Sequence, residues 1–394
     1  MLAERIPDIQ SALAEADLDG WLFMCFQTND PISKDFLGLG DRLVSRRCYY
    51  LVPRTGEPSK LSHGLEPAML DHLPGKKVLY TRWAEHAAGL TALVAGCKRL
   101  AAQYSPRNEL PAVSRLDAGT AETLRAAGCE LISAADLVQR FAAVWTPEQA
   151  AGHRRANVHL HRIVKEAFAF TGDALRAGRA ISEFEVQQFI TNAFAQEHLI
   201  AEDAPIVGVN ANSADPHYIP NAELSQPIRR GDFLLIDLWA KESLPGSVYA
   251  DICWCGVCAG APTDRQAQVW GVCTAARDAG AKLVEERYPQ QMVRGFEVDD
   301  AARAVIEAAG YGSQFIHRTG HSIHTTDHGP GANMDNLETH DTRPLIAMTC
   351  FSIEPGIYFA GDFGVRSEIN ILLRPDAAEI TGAAPQGELL RLLA

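Results

Sequence analysis

The stretch DFLLIDLWA, residues 232–240, is an apolar run of strand length interrupted by one acid, Asp237. A carboxylate inside such a run is costly unless it is paired or binds a cation. The next apolar run, VYADICWCGVC at 248–258, repeats the pattern with Asp251 near its head. Between them lies Pro245-Gly246, a turn signal. The two runs therefore read as antiparallel strands that bring both acids to one edge.

The same misfit recurs further on. MTCFSIEPGIYF (348–359) and GVRSEINILL (364–373) read as two final strands, with Glu354 and Glu368 where core residues belong. Pro355-Gly356 forces a turn directly after Glu354. APIVGVNANSADPHY (204–218) reads as a strand running into a polar loop, and residues 262–310 read as helix. Upstream, Thr146-Pro147 is a helix cap with proline at the first helical position, and Ser182 with Glu185 forms a capping box for a second helix. Paired strands with helices between them predict an α+β domain over 146–394. Residues 1–145 form a smaller α/β domain, with an opening helix at Ile6–Ala16 and apolar strands in DGWLFMCF (from Asp19), RRCYYLVP (from Arg46) and KKVLYTRW (from Lys76).

HRTGHSIHTTDHG, residues 317–329, places four histidines in a short segment: His317, His321, His324 and His328. Gly320 and Gly329 favour a tightly turned loop over a helix. Such a stretch points to metal binding or acid–base chemistry. Shared cations account for all the misplaced acids together, because they neutralise carboxylates that would otherwise repel one another.

The 394-residue chain carries a formal net charge of -13, which argues against a nucleic-acid partner, since phosphate binding needs a basic face. No apolar stretch reaches membrane-span length, and the start of the chain reads as an amphipathic helix instead of a secretory signal. Nine scattered cysteines fit a reduced, cytoplasmic setting. Cys253, Cys255 and Cys258 make a CxCxxC cluster, but without further paired ligands nearby it reads as positions on a buried strand.

Taken in order (Asp237, Asp251, His321, Glu354, Glu368), these residues resemble the donor set of the metal-dependent pita-bread peptidases. That family includes prolidase, Xaa-Pro aminopeptidase and, more distantly, methionine aminopeptidase. The motif His217-Tyr218 matches the family's upstream active-site histidine, and VRSE at 365–368 matches its arginine-plus-glutamate end. The resemblance covers about 150–394 and implies a pita-bread catalytic domain behind a creatinase-like N-terminal domain. It implies two divalent cations, Mn²⁺ first and Zn²⁺ or Co²⁺ otherwise, sharing a water that attacks the scissile carbonyl. Asp237 would chelate one cation, Asp251 and Glu368 would bridge, and His321 and Glu354 would complete the second. Glu354 would also shuttle the proton; His217 and His328 would flank the substrate; His317 would line the pocket; Arg366 would pair with a ligand carboxylate or a substrate group. The expected substrates are Xaa-Pro dipeptides, with His340 and Arg343 of THDTRP (from Thr339) anchoring the free carboxylate. Aminopeptidase P activity on longer peptides is the alternative. The metal-free creatinase reading and a silent binding protein are disfavoured because every donor is present, and a homodimer is implied by resemblance alone. The chain departs from the family in a longer spacing between Asp237 and Asp251, with the extra residues around Glu242–Ser247, and in Ser322 and Cys253, which stand where glycine and threonine are usual.

Overall fold

The computed structural model describes residues 2–27 and 29–394. It divides into two compact units, Met1–Phe141 and Ala142–Ala394.

The first unit runs α1 (Leu2–Glu15), β1 (Gly20–Cys25), α2 (Pro31–Phe36), β2 (Cys48–Pro53), β3 (Ser59–His63), β4 (Lys76–Tyr80), α3 (Trp83–Leu93), β5 (Arg99–Ala102), α4 (Ala118–Ala126), β6 (Glu130–Ser133) and α5 (Ala135–Val138). Its sheet has the order β4-β3-β2-β1-β5-β6. The β1–β2 and β2–β3 pairs are antiparallel, whereas β1–β5, β3–β4 and β5–β6 are parallel, so the sheet is mixed. All six residues of β1 are buried, as its unbroken apolar run requires.

The second unit opens with α6 (Pro147–Arg176), capped by Thr146 and Gln149, and α7 (Glu183–Gln196), capped by Ser182 and Glu185. Then follow β7 (Leu199–Ile200), β8 (Ile206–Val209), β9 (Phe233–Glu242), β10 (Ala250–Val257), α8 (Asp264–Arg287), α9 (Gly295–Ala308), β11 (Ser322–Ile323), β12 (Cys350–Ile353), β13 (Gly356–Tyr358), β14 (Gly364–Arg366), β15 (Ile369–Leu373), β16 (Ala378–Ile380) and β17 (Leu390–Arg391). One sheet runs β17-β10-β9-β7 with β8 also on β9; a second runs β11-β12-β15-β16; β13 and β14 form a separate ribbon.

The hairpin β9–β10 organises this unit. It pairs Asp237 with Cys253 and Trp239 with Asp251. Side chains alternate between faces along a strand, so Leu234, Ile236, Leu238, Ala250, Ile252 and Trp254 share one face. That face packs on α6 and α7 through Leu160, Val164, Val186 and Ile190. The opposite face carries Phe233, Leu235, Cys255 and Val257, buried against Trp270 and Cys273 of α8 and Ala302 and Ile306 of α9. Asp237 and Asp251 lie on that second face, diagonal neighbours across the ladder. Asp237 sits inside the sheet, with β8 paired beside it at Ile206, whereas Asp251 lies on a stretch of β10 that β17, which pairs only at Gly256 and Val257, does not reach.

Two expected strands are each broken in two. The run 348–359 forms β12 and β13 in different sheets, and 364–373 forms β14 and β15. Glu354 and Glu368 occupy the breaks, where the chain leaves one sheet for another. Pro355 has no N–H to continue the β12 ladder. Among the described residues, no helix is long and apolar enough to cross a membrane. All nine cysteines are free; Cys253 and Cys255 are buried on β10, and Cys258 is buried just past its end.

Candidate metal centre and substrate cavity

A cavity of about 920 Å³ opens over the polar end of the β9–β10 face. Asp237, Asp251, His217, His317, His321, His328, Glu354 and Arg366 all line it. Glu368 lies beneath, with its backbone N–H donating to the Cys253 carbonyl at 3.3 Å. One oxygen each of Asp251 and Glu368 and one nitrogen of His321 fall within 4.8 Å of one another.

Each donor is placed by a specific local device. The Asp251 N–H donates to Asn370 Oδ1 at 2.9 Å, which ties the first sheet to β15. His321 is held by reciprocal bonds with Ser352: the Ser352 hydroxyl accepts from the His321 N–H at 3.0 Å, and the Ser352 N–H donates to the His321 carbonyl at 2.9 Å. The same hydroxyl donates to Glu354 Oε1 at 3.1 Å, so one serine fixes two donors. The close approach needs Gly320, where a Cβ would lie 1.9 Å from the Ser352 carbonyl oxygen. His321 Nε2 then stands 3.3 Å from Glu354 Oε1 and 3.7 Å from Asp251 Oδ2.

The electrostatics are those of carboxylates with too little positive charge among them. Burial, and then the neighbouring Glu368 and Asp327, hold the Asp251 carboxyl well above the usual range. Burial, and then Glu354 and Asp237, do the same to Glu368. Burial also raises Asp237 and Glu354, and in both Arg366 works in the opposite direction. His321 is lowered to about 3, chiefly by burial and then by Arg318, so its imidazole is neutral, the form that ligates metal. Asp237 Oδ1, Asp251 Oδ1 and both Glu368 oxygens are shielded from solvent and have no hydrogen-bond partner. Orphaned carboxylate oxygens in such number are what a bound cation would satisfy.

Arg366 pairs with Asp237 through Nη2 and donates to the Tyr358 hydroxyl through Nη1 at 2.9 Å. The Tyr358 hydroxyl lies 2.8 Å from His317 Nε2, while His317 Nδ1 lies 2.7 Å from the Arg318 carbonyl. That carbonyl can only accept, so Nδ1 carries the proton and Nε2 accepts from Tyr358. Burial, and then Arg366, keep His317 neutral, with its pKa lowered to about 3. His217 reaches the cavity on the loop after β8. Glu183 at the start of α7 anchors that loop: it accepts from Val209 N, Asn212 Nδ2, the Tyr218 hydroxyl and Gln226 N. The His328 ring lies against His321, with centroids 4.1 Å apart. His324 is absent from the cavity wall and packs in its loop, its carbonyl accepting from Tyr249 N.

His340 and Arg343 are not brought to the cavity. Arg343 is 3% exposed and spends its guanidinium on Asp341 and the Pro330 carbonyl. His340 bonds Asn336 and packs at a tilt against Phe296 instead. Two arginines line the cavity, Arg366, which is paired with Asp237, and Arg318. Asp327 also lines the cavity, its carboxyl pushed up to about 8 by burial and then by Glu354 and Asp237. Neither Arg318 nor Asp327 was picked out in the sequence. Asp327 lies in a polar loop where acids are ordinary; Arg318 carried one signal, its place between His317 and the Thr319-Gly320-His321 turn.

The metallopeptidase family M24 model matches residues 153–375, more than half of the chain, and the chain belongs to that family. It is similar to the Xaa-Pro dipeptidase of Lactobacillus helveticus, 31% identical over 235 residues, which cover 59% of this chain and 57% of that one. The chain thus spans little more than half the length of that relative. It is also similar over nearly its whole length to a probable dipeptidase PepE of Mycobacterium bovis, 25% identical over 97% of this chain and 95% of that one. The crystal structure of dipeptidase PepE from Mycobacterium ulcerans shares the fold, with a TM-score of 0.72 and 23% identity over 99% of this chain and 98% of that one.

Proposed function

We propose that this chain is a metal-dependent dipeptidase that hydrolyses Xaa-Pro dipeptides with two divalent cations. The observation that carries this reading is the gathering of Asp237, Asp251, His321, Glu354 and Glu368 around one cavity, where Asp237 Oδ1, Asp251 Oδ1 and both Glu368 oxygens are buried without a hydrogen-bond partner. The donor chemistry fits: carboxylates with one imidazole suit Mn²⁺, Co²⁺ or Zn²⁺. Asp237 would hold one cation, Asp251 and Glu368 would bridge, and His321 and Glu354 would complete the other. When bound, such a pair supplies an acidified water and polarises the scissile carbonyl.

The protein groups do the rest. Glu354 is the one donor in contact with both His321 and, at 3.9 Å, Arg366, and it faces the cavity, so it takes the proton of the attacking water and passes it to the departing imide nitrogen. Arg366 stays on Asp237 and offsets part of the burial that raises that carboxyl. Tyr358 and His317 hold Arg366 in place from behind. His217 and His328, both exposed on the cavity wall, flank the substrate and donate to the developing oxyanion. Arg318 takes over the role expected of Arg343, pairing with the free carboxylate of the dipeptide.

The test is hydrolysis of Ala-Pro and of an Xaa-Pro-Yaa peptide by protein loaded with Mn²⁺, Co²⁺ or Zn²⁺, with and without chelator. Chelator-sensitive cleavage of Ala-Pro is expected. Cleavage of the longer peptide alone would replace the dipeptidase with an aminopeptidase, and cleavage of neither would end the peptidase reading.

A further inference from the structure

We propose that Asp327 is a sixth donor of this metal centre, binding the cation on the His321 side and biasing the centre towards hard cations such as Mn²⁺. The proposal rests on the metal-centre reading above and extends it to a residue outside the expected donor set. Asp327 lies between His321 and His328 in the loop after β11. One of its oxygens falls within 4.8 Å of a ring nitrogen in each of those histidines. Both Asp327 and Asp251 line the cavity beside His321, and the Asp327 charge helps to hold the Asp251 carboxyl above its usual range. The side chain keeps 24% exposure on the cavity side, yet Oδ1 is fully shielded and without a partner.

Two simpler roles fit less well. A carboxylate that orients a catalytic histidine needs a hydrogen bond to it, but Asp327 Oδ2 is 3.7 Å from His328 Nε2, beyond that range. A surface acid would turn both oxygens to water, and Asp327 turns one inward against other carboxylates. At an effective dielectric of 20, two like charges about 4 Å apart repel by roughly 4 kcal/mol, so carboxylates gathered around one cavity call for a cation or a proton among them. The charge count points to cations. Asp237, Asp251, Asp327, Glu354 and Glu368 carry five negative charges when ionised. Arg366 balances one at Asp237, and the four left equal the charge of two divalent ions. A further carboxylate also hardens the donor set, which favours Mn²⁺ over Zn²⁺.

The experiment titrates Mn²⁺ alone, and then Zn²⁺ alone, into chelator-treated protein, read by calorimetry and by the electron paramagnetic resonance of Mn²⁺. Asp327→Asn is expected to weaken one of two Mn²⁺ sites about tenfold or more while affecting Zn²⁺ less, and Asp327→Glu is expected to restore part of the loss. The metal-free Asp327→Asn protein is expected to melt no lower than the parent, because one repelling charge is gone. Unchanged affinity at both Mn²⁺ sites in Asp327→Asn, with loss of Mn²⁺ in Asp251→Asn, would overturn the role of Asp327 alone. Retention of both Mn²⁺ ions in Asp251→Asn would overturn the metal centre and this proposal with it.

Discussion

Replacing Glu183 with glutamine tests how the His217 loop is held without touching the cavity. Oε1 accepts from Val209 N at 2.8 Å and from Asn212 Nδ2 at 3.0 Å. Oε2 accepts from the Tyr218 hydroxyl at 2.7 Å and from Gln226 N at 2.7 Å. Each oxygen therefore serves one backbone N–H, and both belong to a carboxylate that is fully buried. A glutamine offers one oxygen. Asn212 can flip and Tyr218 can rotate to meet the new NH₂ group, but a backbone N–H cannot. Whichever way the amide turns, one backbone donor faces another donor, at a cost of about 1–3 kcal/mol. The remaining bonds lose the charge that strengthens them, about 1 kcal/mol more. A loss of about 3 kcal/mol is expected by urea denaturation of the Mn²⁺-loaded protein. Faster amide exchange at Val209 or Gln226 and a lower kcat/KM for Ala-Pro are expected beside it, with Mn²⁺ binding retained. A loss under 1 kcal/mol with unchanged exchange would refute the reasoning, because it would mean that the four contacts do not hold the loop.

Other substitutions separate positioning from recognition. Gly320→Ala places a Cβ 1.9 Å from the Ser352 carbonyl oxygen, so the β11–β12 approach must open; weakened metal binding at the His321 site is expected by calorimetry, and wild-type binding would contradict the tight approach. Arg343→Ala strands the buried Asp341 carboxylate and is expected to cost about 3 kcal/mol or more, without raising KM for Ala-Pro, whereas Arg318→Ala should raise KM about tenfold with little change in melting temperature; the reverse pattern would restore Arg343 as the anchor. His153, fully buried between the Tyr249 carbonyl and the Thr381 hydroxyl, has its pKa lowered to about 4, mainly by burial. The unfolded chain, with His153 near 6.5, binds the proton first, so the stability from the neutral imidazole is complete above about pH 6.5 and is lost as pH falls towards 4. That amounts to about 3 kcal/mol. Melting curves from pH 7 to 4.5 should show a shallower acid decline in His153→Gln than in the parent, and equal slopes would remove His153 from the acid response.

The hairpin β9–β10 was legible because three signals agreed: strand-length apolar runs, a Pro-Gly turn and an acid in each run. The short strands β7 and β17 that extend its sheet were not, since each has two residues and such short segments carry no periodicity. In the first unit β3 was hidden for a related reason. Ser59–His63 is polar in sequence, yet Lys60 is buried there, its Nζ donating to the carbonyls of Leu70 and Leu73. The breaks at Glu354 and Glu368 escaped because hydropathy continues unchanged when a chain passes from one buried sheet to another. At the site, the acids that stood out were those in apolar company. Glu183 sits at a helix start, where an acid needs no further explanation, so its burial and its four partners were invisible. Arg343 looked available because its partner, Asp341, is only two residues away, and nothing in the spacing shows that the pair closes on itself inside the protein.

The face alternation of β9 and β10 has a consequence for how this chain can change over evolutionary time. Deleting or inserting one residue within Phe233–Glu242 or Ala250–Val257 would turn Asp237 or Asp251 towards Leu160 and Val164 and bring apolar residues such as Leu238 or Ile252 into the cavity. Such lineages lose fold and chemistry in a single event. Residues 243–247 lie beyond the paired strands and ahead of the buried Val248 and Tyr249, and there a change of length leaves the alternation untouched. The longer spacing between the two aspartates falls in that tolerant segment, so the hairpin tip is where relatives can diverge in length, and where a designer can graft new sequence, without disturbing the carboxylates behind it.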